Sequence, residues 1–191
     1  MTTETIIDSE LKDKRVSPIN IAFKWALIGL LILIIQTLGN LFMNDGKYNP
    51  QAGGLWMMAF TIAVVFVIIF MAMKEFRDKE LGGYISYGKA FNVGFITTLF
   101  MALFSVLFMW VFYNFIIDFD VMMSDMMTER MKGLKEKGMS DKEIQEAFKK
   151  APAFLMSQSF YLIITVVSGL FLDTIVSLIA AAFVKKDLPH S

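Results

Sequence analysis

The sequence predicts an all-α integral membrane protein, an antiparallel four-helix transmembrane bundle with an extracytoplasmic helical hairpin between spans three and four. Composition is the first observation behind this prediction. Of the 191 residues, 56% are hydrophobic and 19% charged, and the mean hydropathy is +0.58, which is too apolar for an ordinary soluble domain of this length. The second observation is a set of four apolar runs, each long enough to cross about 30 Å of hydrocarbon, which takes roughly 20 helical residues.

The four runs are continuously apolar and contain only two charged residues, Lys24 and Asp173. Continuous apolar runs of this length predict helices, because the strands of a membrane barrel alternate and are shorter. The predicted spans are 19–43, 53–73, 91–117 and 160–184. They form one membrane domain over 18–186, with polar tails over 1–17 and 187–191. The first span is too long for a secretory signal and lacks a small-residue cleavage site, so we expect it to stay attached.

Basic residues mark one side of the predicted bundle. Ten of them lie beside the start of span one, between spans two and three, and after span four, whereas the first loop on the opposite side carries only Lys47. The positive-inside rule therefore predicts that both termini are cytoplasmic. The ten are Lys12, Lys14, Arg15, Lys24, Lys74, Arg77, Lys79, Lys89, Lys185 and Lys186.

The loop between spans two and three contains paired glycines, Gly82 and Gly83. Glycine adopts backbone angles that other residues resist, so the pair predicts the end of one helix and a turn at the membrane surface, with Ser86 as a candidate cap of the next helix. Two interpretations stay open for this segment. It is a structural turn whose charges set the topology, or it is a docking or ligand site formed by Arg77, Lys79, Gly82, Gly83 and Lys89.

The third loop, 118–159, is predicted to form two helices at the outer membrane surface. Ser140 and Glu143 have the spacing of a capping box, and apolar residues then recur at helical spacing up to Pro152. Upstream, a second apolar helical face is followed by a predicted break at Gly133 and Gly138. The first apolar face consists of Met123, Met127, Met131 and Leu134, and the second of Ile144, Ala147, Phe148 and Ala151.

Residue content excludes several classes of function. The chain has no cysteine, and its one histidine is the penultimate His190, so thiolate chemistry and a serine, histidine and aspartate triad are not expected. Eighteen basic and 18 acidic residues balance, whereas nucleic-acid-binding proteins carry a basic excess. Thioethers at 122, 123, 126 and 127 suit a soft copper ion, but methionine also fills apolar faces, which is favoured here. We expect no enzymatic activity, cofactor, metal or nucleic-acid partner.

Asp173 is the most unusual residue, because a carboxylate near the middle of a span costs roughly 2.5 to 3.5 kcal/mol on insertion scales. With Thr165, Gly169 and Ser177 it forms a polar, small-residue stripe at a spacing of four. One interpretation is a protonatable site in a transport path. The other is a carboxyl hydrogen-bonded to a neighbouring helix, for which Thr97 or Thr98 is a better placed partner than Lys24.

The segment from Lys74 to Gly94 resembles the signature of a family of small bacterial membrane proteins, the domain of unknown function 4199. The resemblance extends from about Ser17 to Lys186 and implies four spans and a bacterial inner-membrane location, but no established activity. The segment reads Lys74-Glu75-Phe76-Arg77-Asp78-Lys79-Glu80-Leu81-Gly82-Gly83-Tyr84-Ile85-Ser86-Tyr87-Gly88-Lys89-Ala90-Phe91-Asn92-Val93-Gly94.

Three hypotheses of function follow. The leading one is a non-enzymatic structural or interaction protein, whose partners are the lipid bilayer and either a second copy of itself or another membrane protein. The alternative is a small proton- or cation-linked transporter that uses Asp173. A membrane enzyme acting on lipid is disfavoured, because no acid–base pair is recognisable at one interface.

Overall fold

The computed structural model describes residues 17–150 and 152–187. Most of the predicted N-terminal tail lies outside the described residues, and so do Ala151 and His190. The side chains of Ala147 and Phe148, which belong to the predicted apolar face of the second loop helix, are also not described.

The described chain is helical, and four of its helices are long and apolar enough to cross a membrane, which confirms that part of the predicted fold. Helix α2 continues seven residues past the predicted end of span two, and α3 begins four residues before the predicted start of span three. The helices are α1 (Ile19–Met43), α2 (Gly54–Glu80), α3 (Tyr87–Phe115), α4 (Phe119–Glu136), α5 (Asp141–Lys150) and α6 (Gln158–Val184), with a 3-10 helix, Ala153–Met156, before α6.

The turn between α2 and α3 uses the paired glycines. Gly82 and Gly83 have φ values of 64° and 92°, in the left-handed region that favours glycine. The chain then continues through Ile85, which exchanges two main-chain hydrogen bonds of 2.9 and 3.0 Å with Lys186 beyond α6. Ser86 occupies the N-cap position of α3, but its side chain makes no capping bond, so the prediction of a side-chain cap was wrong.

A packed apolar core joins the second half of α2, the first half of α3 and the second half of α6. The close approach of α2 and α6 to α3 depends on Gly94, because a Cβ added there would lie 3.1 Å from Ile69 Cγ2 and 3.1 Å from Ser177 Oγ. We call this region the inner core. It includes Ile69, Ala72, Met73, Phe76, Ala90, Val93, Val176, Ala180, Ala181 and Val184.

The segment between α3 and α6 contains two helices, as predicted. Asp118 caps α4 by accepting hydrogen bonds from the amides of Asp120 and Val121. Gly133 lies inside α4, so the predicted helix break there was wrong, whereas Gly138, with φ of 88°, lies in the turn before α5. The capping box of α5 is confirmed, because the Ser140 amide donates to Glu143 Oε2 at 2.8 Å and the Glu143 amide donates to Ser140 Oγ at 3.4 Å.

Candidate functional site

A cavity of about 280 Å³ lies among all four long helices. Its walls are mostly apolar, with Leu30, Val64, Met101 and Leu170 each contributed by a different helix. Mostly apolar walls with a few polar groups are typical of small-molecule sites, although this volume is at the small end of their range. The cavity also contains the intramembrane carboxyl that the sequence singled out, Asp173.

The cavity lining is most accessible between α2 and α6. Among the described residues that line it, Thr61 of α2 and Thr165 of α6 are the two that are exposed, and the others are buried or partly buried. The N-terminal halves of the same two helices have exposed side chains, such as Trp56, which is 87% accessible, and Val167, which is 58% accessible. The mouth of the cavity therefore lies between α2 and α6, at Thr61 and Thr165, where a bilayer would meet the helices.

Two polar groups in the cavity have no partner among the described residues. Asp173 lies on the last cavity-lining turn of α6, towards the inner core, and no hydrogen bond or ion pair of its carboxyl is present there. The side-chain amide nitrogen of Gln36 is buried and makes no hydrogen bond. Unpaired polar groups in apolar surroundings cost free energy, so both groups favour an occupant that supplies partners.

The predicted stripe on α6 divides between two environments. Thr165, Gly169 and Asp173 line the cavity. Ser177 is fully buried beside the inner core, against the position of Gly94. The stripe is therefore not one continuous polar path. Thr165, Gly169 and Asp173 border the cavity, and Ser177 provides close helix packing.

The threonines predicted as partners of Asp173 bond within their own helix. Thr97 Oγ1 donates to the carbonyl of Val93 at 2.8 Å, and Thr98 Oγ1 donates to the carbonyl of Phe95 at 2.8 Å. The predicted interhelical hydrogen bond is thus wrong. Threonine hydroxyls in helices commonly bond to the preceding turn in this way, which leaves the carboxyl of Asp173 available to another group.

Lys24 pairs with Glu75 rather than with Asp173. The Glu75 carboxylate accepts hydrogen bonds from Lys24, from Trp25 Nε1 at 2.7 Å and from Lys79 Nζ at 2.9 Å, and so links α1 to α2. The contacts of Glu75 with Lys24, Trp25 and Lys79 were not predicted, because the charges near this loop were interpreted as topology signals. The signal in the sequence was a carboxylate one helical turn before Lys79, at the spacing that favours an ion pair.

Two of the three basic residues of the predicted docking site, Arg77 and Lys79, are engaged within the protein. Arg77 Nη1 donates to the carbonyl of Val184 at 3.2 Å, at the C-terminal end of α6, and Arg77 Nε pairs with Asp78 at 2.7 Å. A cation at a helix C-terminus is stabilising. Lys89 is exposed and has no ion pair among the described residues. These contacts favour the structural interpretation of this segment, although its docking role stays a prediction.

An aromatic cluster lies at the end of the cavity away from Asp173. Tyr113 and Tyr161, which both line the cavity, have ring centroids 5.9 Å apart, and Tyr48 from the α1–α2 loop lies 6.4 Å from Tyr113. Burial, and secondarily the proximity of Tyr161, raises the pKa of Tyr48 to about 12. The Tyr48 hydroxyl is therefore neutral at physiological pH. The sequence did not indicate this association, because the three tyrosines are far apart along the chain.

The methionines of α4 that were considered as copper ligands take part in packing. Met122 is 4% exposed and packs with Phe112, Tyr113 and Phe119, and Met123 and Met126 border the same group. Within the described part of the chain, no group of three histidine, cysteine or acidic residues is arranged to hold a metal ion. The contacts of Met122 fit the packing interpretation of these thioethers.

Comparison with known protein families agrees with the resemblance seen in the α2–α3 segment. The family described as "Protein of unknown function (DUF4199)" matches residues 24–186, most of the chain. The protein belongs to this family. No curated protein and no solved structure matches it. Membership of DUF4199 therefore supports the multi-pass architecture and assigns no activity, so a function has to be inferred from the site itself.

Proposed function

We propose that this DUF4199 protein is a non-enzymatic membrane protein that works by binding another component of the membrane. The observation that carries this proposal is the cavity among the four helices, whose exposed lining residues, Thr61 and Thr165, open between α2 and α6. A molecule or side chain in the bilayer reaches such a mouth without crossing water. Asp173 is the one carboxyl among the described residues that line the cavity, and hydrolysis of a lipid would need a second group for acid–base chemistry.

The proposal includes an orientation in the membrane. We place both termini in the cytoplasm of a bacterial inner membrane, the four long helices in an antiparallel bundle, and α4 and α5 as a helical hairpin on the outer surface. The basic residues near the α2–α3 turn support this orientation through the positive-inside rule. Because the natural chain has no cysteine, Lys47→Cys and Lys89→Cys each introduce a single thiol. A membrane-impermeant maleimide should label the first in intact cells and the second only after permeabilisation, and the reverse pattern would overturn the orientation.

The bound component is expected to be a lipid-soluble molecule, a second copy of this chain or another membrane protein. Exposed apolar side chains flank the mouth on both helices, including Leu55 on α2 and Ile163 on α6, which are 77% and 61% accessible. Such side chains would contact a lipid or a protein helix equally well, so their exposure does not distinguish these three kinds of partner. A cross-linking experiment distinguishes them.

The test uses a photo-reactive amino acid at Thr165, with the same group at the exposed Val111 of α3 as the control. A specific occupant should give one saturable product from position 165, and Gly169→Trp, which fills the cavity from its α6 wall, should remove that product. The products from position 111 should be unaffected. Identical product patterns at both positions, insensitive to Gly169→Trp, would contradict the proposal.

Transport of a proton or a cation is the second candidate function, and the position of Asp173 in the cavity is the observation that favours it. An ionisable residue within a membrane span commonly marks an ion pathway. Under this candidate, Asp173→Asn abolishes flux in proteoliposomes while the exposed Asp120→Asn does not. Equal flux in both variants would remove transport as a function of this site.

A further inference from the structure

We propose that the occupant of the cavity is a lipophilic amine, an apolar molecule or chain with one protonated amino group that pairs with Asp173. This inference rests on the proposed function, because it names the class of membrane component that the cavity binds.

The first argument is charge. None of the described residues that line the cavity is a lysine, arginine or histidine. The ion pairs of the described residues use other carboxylates, such as Glu75, Asp125 and Asp141. A carboxylate at this depth is costly when it is unpaired. Since the described protein supplies no cation, a cationic occupant would compensate the charge of Asp173.

The second argument is the arrangement of polar and apolar surface. Asp173 lies about two helical turns, or about 12 Å, deeper than Thr165 at the mouth, and the walls between them are apolar, as at Val166 and Leu170. A carboxyl at the end near the inner core and an apolar path to the lipid match an amphipathic molecule that enters with its amine first. The side-chain amide nitrogen of Gln36 is an unpaired donor, which would donate a hydrogen bond to an oxygen atom of the occupant.

The third argument is size. A volume of about 280 Å³ corresponds to roughly nine water molecules at about 30 Å³ each, which is enough for an amino group and a short apolar chain. A longer chain would leave through the mouth between Thr61 and Thr165 and continue into the bilayer. An opening towards lipid would allow the apolar end of such a ligand to stay in the membrane while its amino group binds Asp173.

The experiment uses two probes of equal chain length, dodecylamine and dodecanol, with the full-length protein in nanodiscs. Native mass spectrometry measures the occupancy of each probe against its concentration. Dodecylamine should bind in a 1:1 complex and at least about ten-fold more tightly than dodecanol, the difference expected for a charge-assisted hydrogen bond. Asp173→Asn should remove that difference, and Asp120→Asn, a matched change on the exposed surface of α4, should preserve it.

The outcomes separate this inference from the proposed function. Equal binding of both probes in the natural protein, blocked by Gly169→Trp, would overturn the amine assignment and leave the lipid-accessible cavity intact. No saturable binding of either probe, together with unchanged cross-linking from position 165 in Gly169→Trp, would overturn both. A preference for dodecylamine that survives Asp173→Asn would also overturn the assignment of the charge partner.

Discussion

The inner and outer halves of this bundle are built differently, although the same four helices form both. In the inner half, α2, α3 and α6 pack closely around the position of Gly94, and Glu75 ties α1 to α2. In the outer half, the helices surround a cavity that opens at Thr61 and Thr165. The comparison indicates that packing in the inner half stabilises the fold and allows the outer half to contain a partly polar cavity.

The largest expected effect comes from placing the same side chain in each half. Gly94→Leu should lower the free energy of unfolding by about 3 kcal/mol, because overpacking a filled core forces its neighbours to move. Gly169→Leu should change it little, since a Cβ at Gly169 meets nothing within 4 Å. Denaturant unfolding in detergent measures both. Equal destabilisation by the two variants would show that the halves do not differ in packing.

The next effect concerns the polar link of the inner half. Glu75→Ala should lower the free energy of unfolding by about 1 kcal/mol, because it leaves the Trp25 indole N–H without its acceptor and removes an ion pair whose lysine is half exposed. Glu80→Ala is the matched control at the end of the same helix. Thermal unfolding of both proteins checks this prediction, and a smaller loss for Glu75→Ala than for Glu80→Ala would refute it.

In the outer half, removing a polar group should stabilise the protein. Asp173→Leu should raise the free energy of unfolding by about 1 kcal/mol, because replacing an unpaired carboxyl in apolar surroundings by an apolar side chain of similar size relieves its desolvation. The same unfolding assay without added amphiphile measures this gain, and Asp120→Leu on the exposed face of α4 should show none. A loss of stability in Asp173→Leu would mean that the carboxyl has a structural partner.

The smallest effect lies outside the bundle, at the capping box of α5. Hydrogen bonds from the amide and hydroxyl of Ser140 lower the pKa of Glu143, so their contribution is present above the ordinary glutamate pKa and is lost as the pH falls through the lowered value. The protection of the Ile144 amide, measured as its exchange rate relative to the intrinsic rate at the same pH, should therefore fall on acidification. Glu143→Gln, which retains the capping geometry, should show a weaker pH dependence, and an equal dependence in both proteins would contradict this account.

The helices were predictable from sequence because each span is a long, uninterrupted apolar run, and the capping box at Ser140 follows from local spacing. The faces of the helices were not predictable to the same degree. A helix in lipid is apolar on all sides, so periodicity does not reveal that Ser177 packs against Gly94 while Thr165 borders a cavity. The pairing of Lys24 with Glu75 was missed for a related reason, because it joins residues that are 51 positions apart.

The most direct test of the central claim compares threonine methyl groups in the two halves by oxygen-induced NMR relaxation, in protein labelled at threonine and embedded in nanodiscs. Thr61 and Thr165 at the mouth should be strongly relaxed by dissolved oxygen, and Thr97 and Thr98, which are fully buried, should be protected. Adding dodecylamine should reduce the relaxation of Thr61 and Thr165 and leave that of the exposed Thr128 unchanged. Protection of Thr61 and Thr165 that matches that of Thr97 would contradict a cavity open to the membrane, whereas strong relaxation that does not respond to dodecylamine would contradict only the amine assignment.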